Sequence, residues 1–549
     1  MRTTVPAQHG LGRSPKQILL VTLIVLVPFA FLTYRFNWLC DDAYISFRYA
    51  KHLAEGHGLR YNVGEDPPVE GYSNFLWVLV LAALEAIGWG APVCSCVISV
   101  ACGVVLLWRI VRLLNRSFGL RSALLTLSAL FFVTLPPVAI WATSGLATLP
   151  QTLVLFLAFE RLLGDRDRLG GLSGGIACAV LILIRADGFV WVLGLVGLAA
   201  LGAMVRRDRA AVGPLVLCAV ITVVAFGGLI GFRLAYFEWP LPNTYYAKVG
   251  FSGMTLERGG DYLLSMLFVL PHLVPILIAG AVVAWRDRND GLICCHAVLL
   301  TLWTFAYVVA VGGDFMAMGR LVVPALPFVA ILFGALVARL SSQPVVAVGC
   351  GLAAVALSLL PAWNVHVVPS DVREKHRFRW GKRELVSEYE QWESMRANAK
   401  RWTLLGRALR QHCKPDESVV TGAIGAAGYY SDLVMYDPHG LVSPEVAHRK
   451  APRRRATAGH DKGVPHAYFL KYRPTYFIPV VCEARSKLPA QARGNGYVLS
   501  KMPGVYRNVA PQIKARYVPV AFPLEPTDGA GPGKLLVVLK RKDRVRDRS

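Results

Sequence analysis

Long apolar runs alternate with short polar segments over the first two thirds of the chain. About eleven runs of roughly 20 apolar residues precede position 363, and each can cross a hydrocarbon core about 30 Å thick. This pattern predicts a polytopic α-helical membrane protein, with spans at 17–36, 75–108, 122–141, 146–163, 171–184, 189–205, 213–236, 263–284, 292–310, 320–340 and 344–362. No small-residue cleavage site follows the first run, so we interpret it as a retained anchor.

The run at 75–108 is too long for one straight helix, and Gly88, Gly90 and Pro92 interrupt it. It is either a broken helix or two short spans. The number of spans is therefore about ten to thirteen.

The last part of the chain, 363–549, is polar enough to form a separate domain outside the bilayer. A polar helical stretch comes first, and Val-rich segments bounded by turn residues follow it, at Ser418–Thr421, Leu433–Tyr436, Tyr476–Val481 and Lys534–Leu539. We predict two domains: a transmembrane module at 1–362 and a small α/β domain at 363–549. Residues 438–466 are rich in Pro, Arg and His and are predicted to form a loop.

The composition excludes an ordinary soluble protein. Hydrophobic residues make up 54% of the chain and charged residues only 17%, and the mean hydropathy is +0.45. The formal net charge of +24 does not indicate nucleic acid, because the basic residues are spread over short loops and the tail. Membrane orientation and lipid headgroups account for them better.

Arginine clusters recur on one side of the predicted spans, at Arg2 and Arg13, in 109–121 and in 206–209. The positive-inside rule places these clusters, and with them the amino terminus, in the cytoplasm. The segment 37–74 is then external, and an odd number of spans puts the carboxy-terminal domain outside as well.

The external segment 37–74 opens with two adjacent carboxylates, Asp41 and Asp42, a few residues past the end of the first span. Like charges so close raise the pKa of one carboxyl group, which suits a general base. The alternative is structural: Asp42 would cap an amphipathic helix lying at the membrane interface. The residues alone favour the structural alternative.

Other polar residues at span ends are candidates for sugar and phosphate contacts. Glu70 and Asn74 lie beside Tyr72 and Trp77, and such a group can hold sugar hydroxyls, although aromatic residues at this depth are more often interface anchors. The stretch 233–248 offers cations and hydroxyls suited to a phosphate, but its basic side chains can equally extend to the interface without a ligand.

Two charged turns are predicted on the same side. Arg185 and Asp187 interrupt two apolar runs, and Asp314 lies on a glycine-rich turn shortly before Arg320. Charges between spans indicate function by default, but each pair can also form a simple ion pair. Both alternatives stay open.

Motifs of soluble enzymes are absent from the sequence: there is no Walker loop, no HExxH and no CxxC pair. Gly422, Gly425 and Gly428 follow a Val-Val pair with loose spacing. A strand entering a turn explains these glycines better than nucleotide binding does. His439 and His448 are interpreted as exposed loop histidines rather than metal ligands.

Seven segments between 37 and about 330 resemble, in order, the motif series of bacterial GT-C membrane glycosyltransferases, in particular the group related to actinobacterial terminal arabinofuranosyltransferases. The segments are DDAYISFRYAKHLAEGHGLRYNVGE, VEGYSNFLW, WATSGLAT, RADG, LPNTYYAKVG, GGDFM and RLVVPALP. The resemblance implies a GT-C fold of about eleven transmembrane helices and a transferase that takes a sugar from a polyprenyl-phosphate donor with inversion. The acceptor would be a cell-envelope glycan or lipid.

The resemblance also implies site roles. Asp41 becomes the expected base, with Asp42 assisting it. The cations expected at the donor phosphate are Arg48, Arg185, Lys248 and Arg320, and the polar residues expected at the sugar or acceptor are Glu70, Asn74, Asn243, Tyr245 and Asp314.

Two departures from the family pattern leave the acceptor open: Ala147 stands where relatives often have Glu, and Ala186 where they have Pro. A transporter or flippase of lipid-linked or anionic substrates is the alternative function, although its polar groups would be expected at the membrane midplane. A non-catalytic receptor is a third. Asp41, Asp42 and Asp314 either gather around a divalent cation or work without one.

Overall fold

The computed structural model describes residues 15–163, 168–248, 252–287, 291–375, 384–450, 457–483, 496–524 and 533–546. Arg2 and Arg13, which contribute to the predicted orientation, lie outside the described residues.

Helices form most of the first 360 residues, as the apolar runs predict. They are α1 Pro15–Arg35, α2 Asp41–Ala54, α3 Phe75–Ala86, α4 Ala91–Phe118, α5 Ser122–Val133, α6 Pro136–Thr143, α7 Thr148–Leu163, α8 Arg168–Ile184, α9 Gly188–Val205, α10 Val212–Phe237, α11 Asn243–Lys248, α12 Gly253–Val269, α13 Leu273–Arg286, α14 Gly291–Ala310, α15 Leu326–Arg339 and α16 Pro344–Leu359.

Seven helical segments among the described residues are long and apolar enough to cross a membrane. Two further pairs, α5 with α6 and α12 with α13, are bent by 56° and 92°, and counting each pair as one span gives nine. Helix α10 shows why such helices require lipid, because Val220, Val223 and Val224 are more than half exposed. The chain is a multi-pass membrane protein.

The predicted run at 75–108 is divided into α3 and α4. Gly88 lies in the break with a φ of +84°, a left-handed conformation that disfavours continuing a helix. Pro92 falls in the first turn of α4, where its missing N–H costs no intrahelical bond.

Packing divides the chain into two compact units. Unit 1 comprises 1–38, 95–226 and 251–392, and unit 2 comprises 39–94, 227–250 and 393–549. In unit 1, α15 is buried along most of its length and packs against α5, α13 and α14. The predicted domain boundary at 362/363 stays a prediction.

Unit 2 contains a mixed six-stranded sheet. Its strands are β1 Ser418–Val420, β2 Val434–Tyr436, β3 Tyr476–Glu483, β4 Tyr497–Val498, β5 Tyr517–Pro523 and β6 Lys534–Arg541, in the order β2-β1-β3-β6-β5-β4. Strand β1 pairs in parallel with β2 and β3, and the remaining pairs are antiparallel. The remaining helices of the chain are α17 Ser370–Lys375, α18 Glu388–His412, α19 Ala426–Ser431, α20 Pro444–Ala447, α21 Pro511–Arg516 and α22 Asp543–Arg546.

The predicted α/β domain is therefore confirmed, and β1, β2, β3 and β6 lie where the Val-rich segments predict strands. Strands β4 and β5 were not predicted. Strand β4 has only two residues, and β5 contains Pro519 and Pro523, which argue against a strand. Short helical pieces interrupt the predicted loop 438–466.

Helix α2 belongs to unit 2 and is buried from Ala43 to Ala50. An amphipathic helix at the membrane interface would keep one face exposed. The interfacial placement considered for α2 does not fit this burial, because residues 43–50 leave no face of the helix exposed.

Candidate active site

Asp41 is the first residue of α2, and its carboxylate is held by the carboxy-terminal part of unit 2. The Oδ1 atom accepts a hydrogen bond of 2.8 Å from the backbone N–H of Ala426. Cys40, and not Asp42, occupies the N-cap position, and no side chain caps the helix there. The carboxylate of Asp41 is thus directed to a distant part of the chain rather than to its own helix.

Burial raises the pKa of Asp41 from 3.8 to about 7. The negative charge of Asp42 adds to this rise, whereas the N–H groups of Ala426 and Gly425 oppose it. A carboxyl group with a pKa close to neutral changes protonation under the conditions in which an enzyme works. Asp41 therefore has the electrostatic surroundings expected of a general base.

Basic side chains face the neighbouring Asp42, which is partly exposed. The Nζ atom of Lys248 lies 3.8 Å from its Oδ2 atom. The rings of His439 and His460 lie 5.2 Å apart, edge to face, and burial, together with the charges of His439 and Lys248, lowers the pKa of His460 to about 4. The carboxylate pair therefore has an amine and a neutral imidazole in its vicinity.

A glycine-rich segment that runs from the end of β1 into α19 packs closely against Asp41, Tyr61 and His439. A Cβ atom on Gly425 would lie 2.1 Å from the backbone oxygen of Asp41, and one on Gly428 would lie 2.2 Å from the hydroxyl oxygen of Tyr61. A Cβ atom on Gly422 would lie 2.6 Å from Nε2 of His439. The spacing of the three glycines, which indicated only a turn in the sequence, therefore marks three close approaches around Asp41.

Arg48 braces the same turn. Its buried guanidinium donates to the backbone carbonyl oxygens of Tyr61 at 2.8 Å, Gly428 at 2.6 Å and Leu433 at 2.7 Å. All three nitrogens of the side chain are thus bound to protein, and the contacts connect α2 to Gly428 within α19 and to Leu433 just after it. The phosphate contact expected of Arg48 stays a prediction, and the observed role is structural.

Glu70 forms a buried two-bond ion pair with Arg233, at 2.8 Å and 3.0 Å. Burial raises the pKa of Glu70 to about 7, although the charge of Arg233 opposes the rise. The backbone oxygen of Glu70 also accepts from the N–H of Asn243 at 2.9 Å. The side-chain amide of Asn243 donates in turn to the carbonyl oxygens of Gly440 and Leu441, both at 2.8 Å.

Two other residues predicted at the sugar or acceptor have contrasting surroundings. Asn74 is buried, and its Oδ1 atom accepts from the hydroxyl of Ser46 at 3.0 Å. Tyr245 is 44% exposed and meets Tyr246 edge to face. Thus Glu70, Asn74 and Asn243 make contacts within unit 2, whereas Tyr245 is partly exposed.

Unit 1 carries the charged turn at Arg185. The guanidinium binds Asp187 through two hydrogen bonds of 2.9 Å and 2.8 Å, and the hydroxyl of Tyr307 donates to the same carboxylate. Although burial disfavours ionisation, Arg185 holds the pKa of Asp187 below its usual value. The ion-pair alternative for this turn is what the structure contains.

Asp314 and Arg320 form a second ion pair in unit 1, with 2.8 Å between Oδ2 and Nε. Gly312 and Gly313, both at positive φ, turn the chain before Asp314. The guanidinium of Arg320 lies 5.8 Å from the ring centroid of Trp141. Both predicted phosphate cations of unit 1 are therefore paired with a carboxylate.

Clusters of metal-ligating side chains are absent from the part of the chain that the structure describes. No group of three or more His, Cys, Asp or Glu side chains there is arranged to hold an ion. The two carboxylates and two histidines described above thus do not form such a group.

The fold is similar to solved membrane protein structures over nearly the whole chain. The crystal structure of ArnT from Cupriavidus metallidurans bound to undecaprenyl phosphate matches 96% of this chain and 98% of that chain, with a TM-score of 0.54 and 14% identity. The apo structure of the same protein matches with a TM-score of 0.51 and 15% identity. The predicted GT-C fold with a carboxy-terminal sheet domain is confirmed.

Sequence comparison confirms the predicted resemblance over a shorter part of the chain. The chain is 27% identical over 247 residues to the terminal beta-(1->2)-arabinofuranosyltransferase of Mycobacterium tuberculosis. The matched region covers 41% of this chain and 37% of that relative. The chain thus matches little more than a third of the relative's length. A family model described as a domain of unknown function, DUF8728, matches residues 387–531.

Proposed function

We propose that this protein is an inverting membrane glycosyltransferase that moves a sugar from a polyprenyl-phosphate donor to a cell-envelope glycan or lipid. The fold likeness to ArnT and the partial similarity to an arabinofuranosyltransferase support a transferase. They do not favour the transporter alternative. The reaction would take place on the external face, with the amino terminus in the cytoplasm and the carboxy-terminal domain outside.

The proposal rests on the position of Asp41 and on its raised pKa. In its ionised form this carboxylate takes the proton of the acceptor hydroxyl as the hydroxyl oxygen attacks the anomeric carbon of the donor sugar. The bond from the anomeric carbon to the phosphate oxygen breaks at the same time, and the lipid phosphate leaves with the electron pair. Direct displacement of this kind inverts the anomeric configuration.

The leaving phosphate needs positive charge rather than a general acid. Lys248 lies in unit 2 beside Asp42 and is only partly buried, so we propose it as the cation at the lipid phosphate. The solved ArnT complex with undecaprenyl phosphate supports a donor of the polyprenyl-phosphate class. Arg185 and Arg320 keep this role as sequence predictions.

The donor assignment is tested by replacing Lys248 with Ala in the detergent-purified protein. We expect the affinity for a polyprenyl-phosphate sugar to fall about tenfold, because one charge-assisted contact is removed. Lys450→Ala is the matched control, since Lys450 is exposed on the same unit. Equal donor affinity in the wild type and the Lys248 variant would show that Lys248 extends to the membrane interface without contacting the donor.

A further inference from the structure

A cavity lies in unit 2, beside the helices α2, α18 and α19. It has a volume of about 380 Å³ and is lined by Lys51, Arg407, Arg410, Tyr429 and Tyr430. A volume of this size lies within the range of pockets that hold small molecules, about 300–1,000 Å³. The lining combines only two chemical types, cations and tyrosine rings.

Three cationic side chains line the cavity, and two of them pair with the same carboxylate, that of Asp432. Lys51 lies 2.7 Å from Asp432, and Arg410 pairs with the same side chain. Burial works against the ionised form of Asp432, but the bond from Lys51 keeps its pKa below the usual value. Arg407 is exposed and lies 5.0 Å from the ring centroid of Tyr430. One carboxylate thus positions two cations, and the lining keeps a positive excess.

The aromatic wall of the cavity is firmly backed. Tyr429 and Tyr430 meet edge to face with their centroids 5.0 Å apart, and each lies 5.6 Å from the ring of the buried Tyr44. The hydroxyl of Tyr429 also contacts Glu85 at 3.4 Å. Rings held in this way provide a rigid apolar surface at little cost in conformational entropy.

This combination points to one ligand chemistry. The C–H face of a sugar ring packs on a tyrosine, and guanidinium groups bind a phosphate or carboxylate through paired hydrogen bonds. A free anion would not need the tyrosine wall, and a neutral sugar would not need the cations.

We propose that this cavity binds an anionic sugar unit of the acceptor, one that carries a phosphate or a carboxylate. The assignment to the acceptor rests on the proposed function. It is supported by position, because Tyr44 lies on α2 three residues after Asp41 and so connects the cavity wall to the helix of the proposed base. The cavity would hold one unit of the glycan while the neighbouring hydroxyl is presented for transfer.

The proposal is tested by calorimetric titration of the full chain in a nonionic detergent with glucose 1-phosphate. We expect saturable binding that exceeds the binding of glucose or inorganic phosphate. Arg407→Gln should weaken it about tenfold, which is the loss expected for one charge-assisted contact. Arg401→Gln is the control, because Arg401 is exposed on the same helix but does not line the cavity. Equal binding of inorganic phosphate, or an unaffected Arg407 variant, would overturn the proposal.

Two substitutions of Tyr429 separate loss of binding from loss of folding. Tyr429→Phe keeps the ring that packs on Tyr44, so we expect it to retain binding, whereas Tyr429→Ser should lose binding while still unfolding in a cooperative transition, although at a lower temperature. Retention of binding by Tyr429→Ser would contradict a role for the aromatic wall.

These measurements can refute the proposed transferase function and the proposed cavity ligand independently of each other. Asp41→Asn should bind glucose 1-phosphate as the wild type does, because Asp41 does not line the cavity. In a transfer assay, Arg407→Gln should raise KM for an anionic acceptor and leave kcat unchanged. Binding without any transfer by the wild type would contradict the proposed function alone, whereas transfer without binding would overturn the cavity assignment alone.

Discussion

Asp41 and Asp42 are neighbours with the same side chain, but their surroundings separate them. The carboxylate of Asp41 accepts a hydrogen bond from the backbone N–H of Ala426, and burial raises its pKa, whereas the carboxylate of Asp42 faces Lys248. A raised pKa and a backbone contact that holds the carboxylate in place suit a general base. This contrast favours Asp41 as the base and Asp42 as its assistant.

The pKa of Asp41 gives the first prediction. Only the ionised carboxylate can accept a proton, and burial raises its pKa to about 7, so kcat/KM should rise with pH through neutrality and level off above it. The measurement is the transfer rate from about pH 5.5 to pH 8.5 with a saturating donor. A transfer rate that stays constant from about pH 8.5 down to about pH 5.5 would contradict the assignment.

At the scale of elements, the turn between β1 and α19 decides the shape of the site. It brings the N–H of Ala426 to Asp41, and Arg48 fixes α19 from the side of α2. These contacts join residues more than 370 positions apart in sequence. The turn is possible because Gly425 leaves room for the backbone of Asp41.

Gly425→Ala should therefore displace the turn. Its Cβ atom would lie 2.1 Å from a backbone oxygen, which cannot be relieved by rotating a side chain. We expect transfer to fall by about tenfold or more, since small misplacements of a catalytic group are costly. Gly504→Ala is the control, because no atom of the described residues lies within 4 Å of its Cβ position. Equal transfer rates in the two variants would show that the turn does not position Asp41.

Predictability differs between these elements for physical reasons. Apolar runs and Val-rich strands carry their signal locally, and α10, β3 and β6 accordingly lie where the sequence predicts them. The structural role of Arg48 depends on carbonyl groups that become its neighbours only after folding. No local pattern predicts such contacts, and the three-residue spacing of the glycines indicated a turn but not the close approaches that the turn makes.

At the scale of the whole molecule, the fold was predictable because hydropathy and motif order act over hundreds of residues. The sequence predicts a GT-C fold with a sheet domain, and the similarity to ArnT over 96% of the chain confirms it. The positions of charged side chains were less predictable. The predicted phosphate ligands Arg185 and Arg320 are each paired with a carboxylate within unit 1, which is the ion-pair alternative that the sequence left open for both turns.

Topology supplies a prediction at this scale. Val63 and Val505 are 49% and 52% exposed, and the proposed orientation places both outside the cytoplasm. Cysteines introduced at these positions, in a background with the exposed Cys350 changed to Ser, should react with an impermeant thiol reagent in intact cells. Labelling that requires permeabilised cells would reverse the proposed orientation.

The most direct test of the central claim is the transfer activity of Asp41→Asn with a polyprenyl-phosphate sugar donor. The amide keeps the shape of the side chain and an oxygen that can accept from Ala426, but it cannot take a proton. We predict that transfer falls by about 10² to 10⁴ while donor binding and melting temperature change little, and that Asp42→Asn loses less. Near-normal transfer by the Asp41 variant would contradict the account.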